Sequence, residues 1–162
     1  MKNGHGGVVV GSEITGGYKN LFVENCKMDS PDLDRVIRIK TNNIRGGVVE
    51  NIFVRNVEVG QCREAVLKIN LIYEQKEIGL RNFDPTVRNV YLENVNCSKS
   101  RYGVFIDAYE DKTNVSNINV SNCKFTGVSE EKINLLKGKI DGLNFTELYI
   151  NDKKVKSPKL KK

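Results

Sequence analysis

A chain of 162 residues with 39% hydrophobic, 28% charged and 7% aromatic side chains suffices for one ordinary domain and falls short of two. The formal charge of +6 sits at one end: six of the 26 basic residues fall within 153–162, and the rest of the chain balances its 20 acidic residues. That excludes a basic nucleic-acid-binding face, and no apolar run approaches the roughly 18 residues that would cross a bilayer.

The opening residues, from Met1 to Gly7, are polar and glycine-rich and lack the apolar stretch of a secretory signal. Then a short apolar segment and a nine-residue segment alternate along the chain. The short segments are 8–10, 36–40, 65–69, 103–108 and 133–136. The nine-residue copies are 20–28 (NLFVENCKM), 51–59 (NIFVRNVEV), 89–97 (NVYLENVNC), 117–125 (NINVSNCKF) and 142–150 (GLNFTELYI), starting 31, 38, 28 and 25 residues apart. An insertion at 74–88 accounts for the longest spacing.

In every copy the second, fourth, seventh and ninth places are apolar, from Leu21, Val23, Cys26 and Met28 to Leu143, Phe145, Leu148 and Ile150. The alternation is that of half-buried strands, and its change of parity needs a turn between the fourth and seventh places. Asn25, Asn56, Asn94 and Asn122 supply one at the sixth place. Asparagine tolerates left-handed backbone, and its amides can bond along a stack. Glu147 replaces it in the last copy, where a terminal repeat departs from the pattern.

Three short strands per repeat, no amphipathic helix and a period near 30 predict an all-β parallel β-helix of about five to six coils spanning 1–151. A two-layer sandwich is the competing architecture, but hairpin signals are missing. Residues 152–162 predict a Lys-rich flexible tail. Cys26, Cys62, Cys97 and Cys123 show no Cys-x-x-Cys spacing, and His5 is the only histidine, so neither metal nor cofactor is expected. Cys26 and Cys123 would lie three coils apart, about 14 Å, beyond disulfide reach, so the cysteines read as reduced core residues.

In Val36-Ile37-Arg38-Ile39-Lys40, inward isoleucines place Arg38 and Lys40 together on the solvent face. Exposed strand cations are commonly only solvated, but this pair suits a carboxylate, Arg38 as a fork of donors and Lys40 as a point charge. His5 lies between Gly4 and Gly6, where the backbone can approach a ligand closely. Gly-His-Gly opening a strand, Arg-Ile-Lys one coil later, and Tyr73 ending the corresponding strand of the next coil together resemble the family 28 glycoside hydrolases, the polygalacturonases.

The resemblance runs to about Glu147. It implies a right-handed winding (a pectin-lyase-like solenoid) and hydrolysis of α-1,4 bonds between galacturonate units of pectin with inversion. It also implies that His5 supports the catalytic groups by hydrogen bonding, that Arg38 and Lys40 hold the sugar carboxylate, and that Tyr73 positions the ring. The family's two further motifs, Asn-x-Asp and Asp-Asp, carry the general acid and the activators of water, and neither has a counterpart here. Asp29, Asp32 and Asp34 sit in a turn-like DSPDLD stretch and Asp107 near the Lys40 column; none can be assigned as acid or base.

The expectation is therefore the C-terminal half of a polygalacturonase-like enzyme, inactive by itself. Its partner would be pectin or oligogalacturonate, with no nucleic acid or membrane, and with self-association through an uncovered N-terminal coil. The parent would be secreted or periplasmic. A non-catalytic module binding acidic polysaccharide would share Arg38 and Lys40 without needing His5. A lyase would need a calcium site of clustered acids, and none faces Arg38.

Overall fold

A computed structural model describes residues 4–130 and 132–159, so 160–162 of the Lys-rich segment lie outside the described residues. Five short strands, β1 (Gly6–Val10), β3 (Arg35–Lys40), β5 (Ala65–Asn70), β7 (Tyr102–Asp107) and β9 (Leu135–Lys137), form one sheet in that order. Five long strands, β2 (Tyr18–Met28), β4 (Val48–Val59), β6 (Thr86–Cys97), β8 (Val115–Phe125) and β10 (Ile140–Ile150), form the second. All these neighbours pair in parallel. The chain passes from one sheet to the other at each step, so a short strand and the long strand after it make one rung. No hairpin joins the parallel strands, against the sandwich alternative.

The nine-residue copies coincide with the long strands, and equivalent places lie in register: Cys26 opposite Val57, Met28 opposite Val59, Cys97 opposite Phe125. Their inward places build the core. Ile52, Val54, Val57 and Val59 are buried, as are Val90, Leu92, Val95 and Cys97. From the other sheet come Val10, Ile39, Ile69 and Ile106, stacked through successive pairings. Cys62, Cys97 and Cys123 are buried and Cys26 is half-buried, all as free thiols.

Two strands per rung, rather than three, follow from the way asparagine bends the long ones. The sixth-place residues Asn25, Asn56, Asn94 and Asn122 have φ between 52° and 54°, so each strand turns a corner without leaving its ladder. Asn56 Nδ2 donates to Asn25 Oδ1 at 3.2 Å and Asn94 Nδ2 to Asn56 Oδ1 at 2.8 Å. Glu147 holds the same turn with φ 48°.

A second column at the first place was not anticipated. Asn20, Asn51, Asn89 and Asn117 are also left-handed, and their amides bond in series at 3.0, 3.0 and 2.8 Å. Asn56→Ala should cost about 1–2 kcal/mol in a urea titration, mostly as backbone strain because the amide pair is exposed. Asn56→Gly should lose clearly less; equal losses would show that the amide and not the turn matters.

Lys153–Lys154 form β11, antiparallel to the end of β10. Val155 N–H donates to Leu148 O at 2.8 Å, and Phe145 N–H to Ser157 Oγ at 2.8 Å. Residues 153–157 thus run back along the outer edge of β10, which would otherwise present unpaired backbone groups.

Candidate functional site

Arg38 projects from β3 between Ile37 and Ile39, which are 1% and 0% exposed, and Lys40 projects just beyond Ile39. Arg38 is level with Val9 of β1 and Lys68 of β5, and Lys40 with Asn70 of β5 and, through it, Asp107 of β7. Tyr73 lies three residues beyond β5 rather than in the strand. Its N–H donates to Thr41 O at 3.2 Å, and its carbonyl accepts the amide of buried Asn42 at 3.0 Å. Thus anchored, its ring faces Lys40 Nζ at 4.5 Å and the Arg38 guanidinium at 5.5 Å, and Lys40 Nζ donates to its hydroxyl at 3.3 Å.

Arg38, Lys40 and Tyr73 therefore form one cluster. His5 is at the other end of the strands: its carbonyl accepts Asp34 N–H, and its exposed imidazole Nδ1 is 3.4 Å from Asp34 Oδ2. Asp34 is four positions before Arg38, about 13 Å along a strand. Of the glycines near His5, Gly7 serves packing, since a Cβ there would lie 2.6 Å from Val36 O.

The charge balance distinguishes these cations from their neighbours. Arg35 is paired with both Asp34 and Glu64, and Lys68 Nζ lies 2.7 Å from Glu64 and 4.1 Å from the centre of the Phe105 ring. Arg38 and Lys40 have no ion pair among the described residues, and Arg38 Nε is buried without a hydrogen-bond partner. Burial and the Arg35 guanidinium lower the Arg38 pKa, offset in part by Tyr73, Glu64 and Asp34. A partly desolvated guanidinium without a carboxylate is a receptor for an anion.

Glu64 and Lys68 were missed because the 65–69 segment was read only as an apolar strand. Lys68 between Leu67 and Ile69 repeats the pattern of Arg38 between its isoleucines, and that alternation would have found it. Burial alone would raise the Glu64 pKa, but the hydrogen bonds from Lys68 and Arg35 outweigh it and hold the carboxyl below its usual range. Burial lowers the Lys68 pKa, with Glu64 opposing. Beside the cluster, a cleft of about 260 Å³ is lined by Asn42, Asn43, Tyr73, Gln75, Arg81 and Tyr109. Tyr109, pushed up to about 12 mainly by burial, donates its hydroxyl to Leu71 O at 2.9 Å.

A crystal structure of a hyperthermoactive exopolygalacturonase from Thermotoga maritima matches 98% of this chain, with a TM-score of 0.78 and 31% sequence identity. The chain is related to the polygalacturonases. Among curated proteins, an exo-poly-α-D-galacturonosidase of Dickeya chrysanthemi is 26% identical in an alignment that covers 91% of the chain. No family model matches. The chain spans 34% of the Thermotoga protein and 26% of the Dickeya one. The polygalacturonase relationship thus extends over nearly all of this chain and a minor part of each relative, and it agrees with the all-β, parallel-strand architecture.

Proposed function

We propose that these residues form the C-terminal, substrate-holding part of a pectin-degrading glycoside hydrolase, wound as a right-handed β-helix of about five coils. The observation that carries this reading is the buried, unpartnered Arg38 Nε beside Lys40 and Tyr73. A galacturonate unit offers a carboxylate for the Arg38 fork and the Lys40 ammonium, while Tyr73 packs against its ring. His5, held by Asp34, would meet the glycosidic bond from the far end of the same sheet. In the whole enzyme the products would form with inversion at α-1,4 bonds, outside the cytoplasm.

Inversion needs a protonated carboxyl on one side of the bond and an ionised one on the other, with room for water between. Asp34 and Glu64 are both taken up by ion pairs, and Glu64 is shifted in the direction opposite to that of a general acid, which leaves Asp107 in the Lys40 column as a single carboxylate without a second to oppose it. The 162 residues alone should therefore bind oligogalacturonate without releasing reducing ends. Turnover well above blank would overturn the division of labour, and failure to bind would overturn the site.

The same lack of a free carboxylate pair favours, as a second reading, a module that binds acidic polysaccharide without cleaving it. His5→Ala leaves binding unchanged on that reading; in a longer chain that also carries the Asn-x-Asp and Asp-Asp motifs, it abolishes hydrolysis on the first.

A further inference from the structure

Cys62 and Cys97 occupy a setting that the other cysteines lack. Cys97 ends β6 level with Val59 of β4, and Cys62 follows β4 in the turn three residues later. The Lys99 carbonyl accepts the Cys62 N–H at 2.8 Å and the Cys97 S–H at 3.4 Å, so both residues converge on one oxygen. Both side chains are buried, 4% and 2% exposed.

Interaction with Cys97, reinforced by burial, pushes the Cys62 thiol up, and interaction with Cys62 pulls the Cys97 thiol down. The shared Lys99 oxygen, 2.8 Å from the Cys62 nitrogen and 3.4 Å from the Cys97 sulfur, keeps the two residues within about 6 Å at those atoms, close enough for a disulfide to close. A surface cleft of about 340 Å³, lined by Gln61, Cys62, Arg63, Lys99 and Arg101, reaches the Cys62 side of the pair. By contrast, Cys123 donates to Ser121 O at 3.1 Å and Cys26 to Glu24 O at 3.2 Å.

We propose that Cys62 and Cys97 are an oxidisable pair that hydrogen peroxide converts into an intrachain disulfide clamping two successive rungs. The Cys97 thiolate attacks one peroxide oxygen; the O–O bond breaks, hydroxide leaves and takes up a proton, and Cys97 becomes a sulfenic acid. The Cys62 sulfur then displaces the sulfenic oxygen as water. Two thiols lose two electrons and two protons, and one peroxide becomes two waters.

The test treats the whole chain with stoichiometric hydrogen peroxide, counts thiols in denaturant, and maps peptides by mass. Two of the four thiols should disappear, with a single cross-linked peptide joining Cys62 to Cys97 and full reversal by dithiothreitol. Closing a loop of this length should raise Tm by roughly 5–10 °C. A Cys26→Ser, Cys123→Ser double variant should give the same cross-link. Survival of all four thiols, oxygen added to Cys97 without a link, or a link through Cys26 or Cys123 would each overturn the proposal, and mapping the unmodified sequence requires no variant to fold.

Discussion

Arg38→Ala should weaken oligogalacturonate binding by about 1.5–3 kcal/mol, roughly 10- to 100-fold, when titrated calorimetrically at low salt. The guanidinium has no carboxylate of its own and stands beside Arg35, so its removal relieves repulsion and leaves no anion stranded. Thermal stability should therefore hold or rise while affinity falls. Arg38→Lys should restore only part of the affinity, because an ammonium carries the charge without the planar fork. Unchanged affinity in Arg38→Ala would remove this residue from the site; a parallel fall in Tm would make its role structural.

The reverse pattern is expected of Glu64→Gln. Glu64 accepts from both Arg35 and Lys68, whose side chains are 18% and 9% exposed, so the amide leaves two cations facing Arg38 with one carboxylate fewer. Breaking such a pair costs about 2–4 kcal/mol, discounted here because Glu64 itself keeps some contact with solvent. The sign with pH follows from the depressed carboxyl. Its folded pKa lies below the ordinary 4.5, so its contribution is fully present above that value and is lost as pH falls through the folded pKa. Chemical denaturation across pH 3–7 should show wild type and Glu64→Gln far apart at neutrality and converging in acid; parallel curves would mean that the ion pairs contribute nothing net.

Much of the architecture was legible because a stacked fold repeats its instructions. The apolar places from Leu21 to Ile150 recur at every rung, and sixth-place asparagine marks the corner where inward parity changes. First-place asparagine carried the same message, but no change of parity drew attention to it. The charge of 153–155 gives no sign of how they pack: Lys153 and Lys154 pair with β10 because an exposed strand edge accepts any backbone, and Val155 packs against the core whatever its lysine neighbours.

At the site, Arg38 and Lys40 were legible from the isoleucines beside them, since alternation fixes the face. Tyr73 was read as closing a strand, whereas it sits in the turn beyond, placed by the buried amide of Asn42 from the preceding rung. Such a contact between residues 31 apart has no local sequence signal. Nor does the Glu64 bridge to Arg35 and Lys68, which depends on rung register.

The most direct measurement follows the Arg38 Nε–H resonance during titration with trigalacturonate and, separately, with its methyl ester. Binding of the sugar carboxylate at Arg38 predicts a large shift with the acid that the ester does not produce and that added salt reverses. An Nε–H signal that responds equally to both, or to neither, would contradict it.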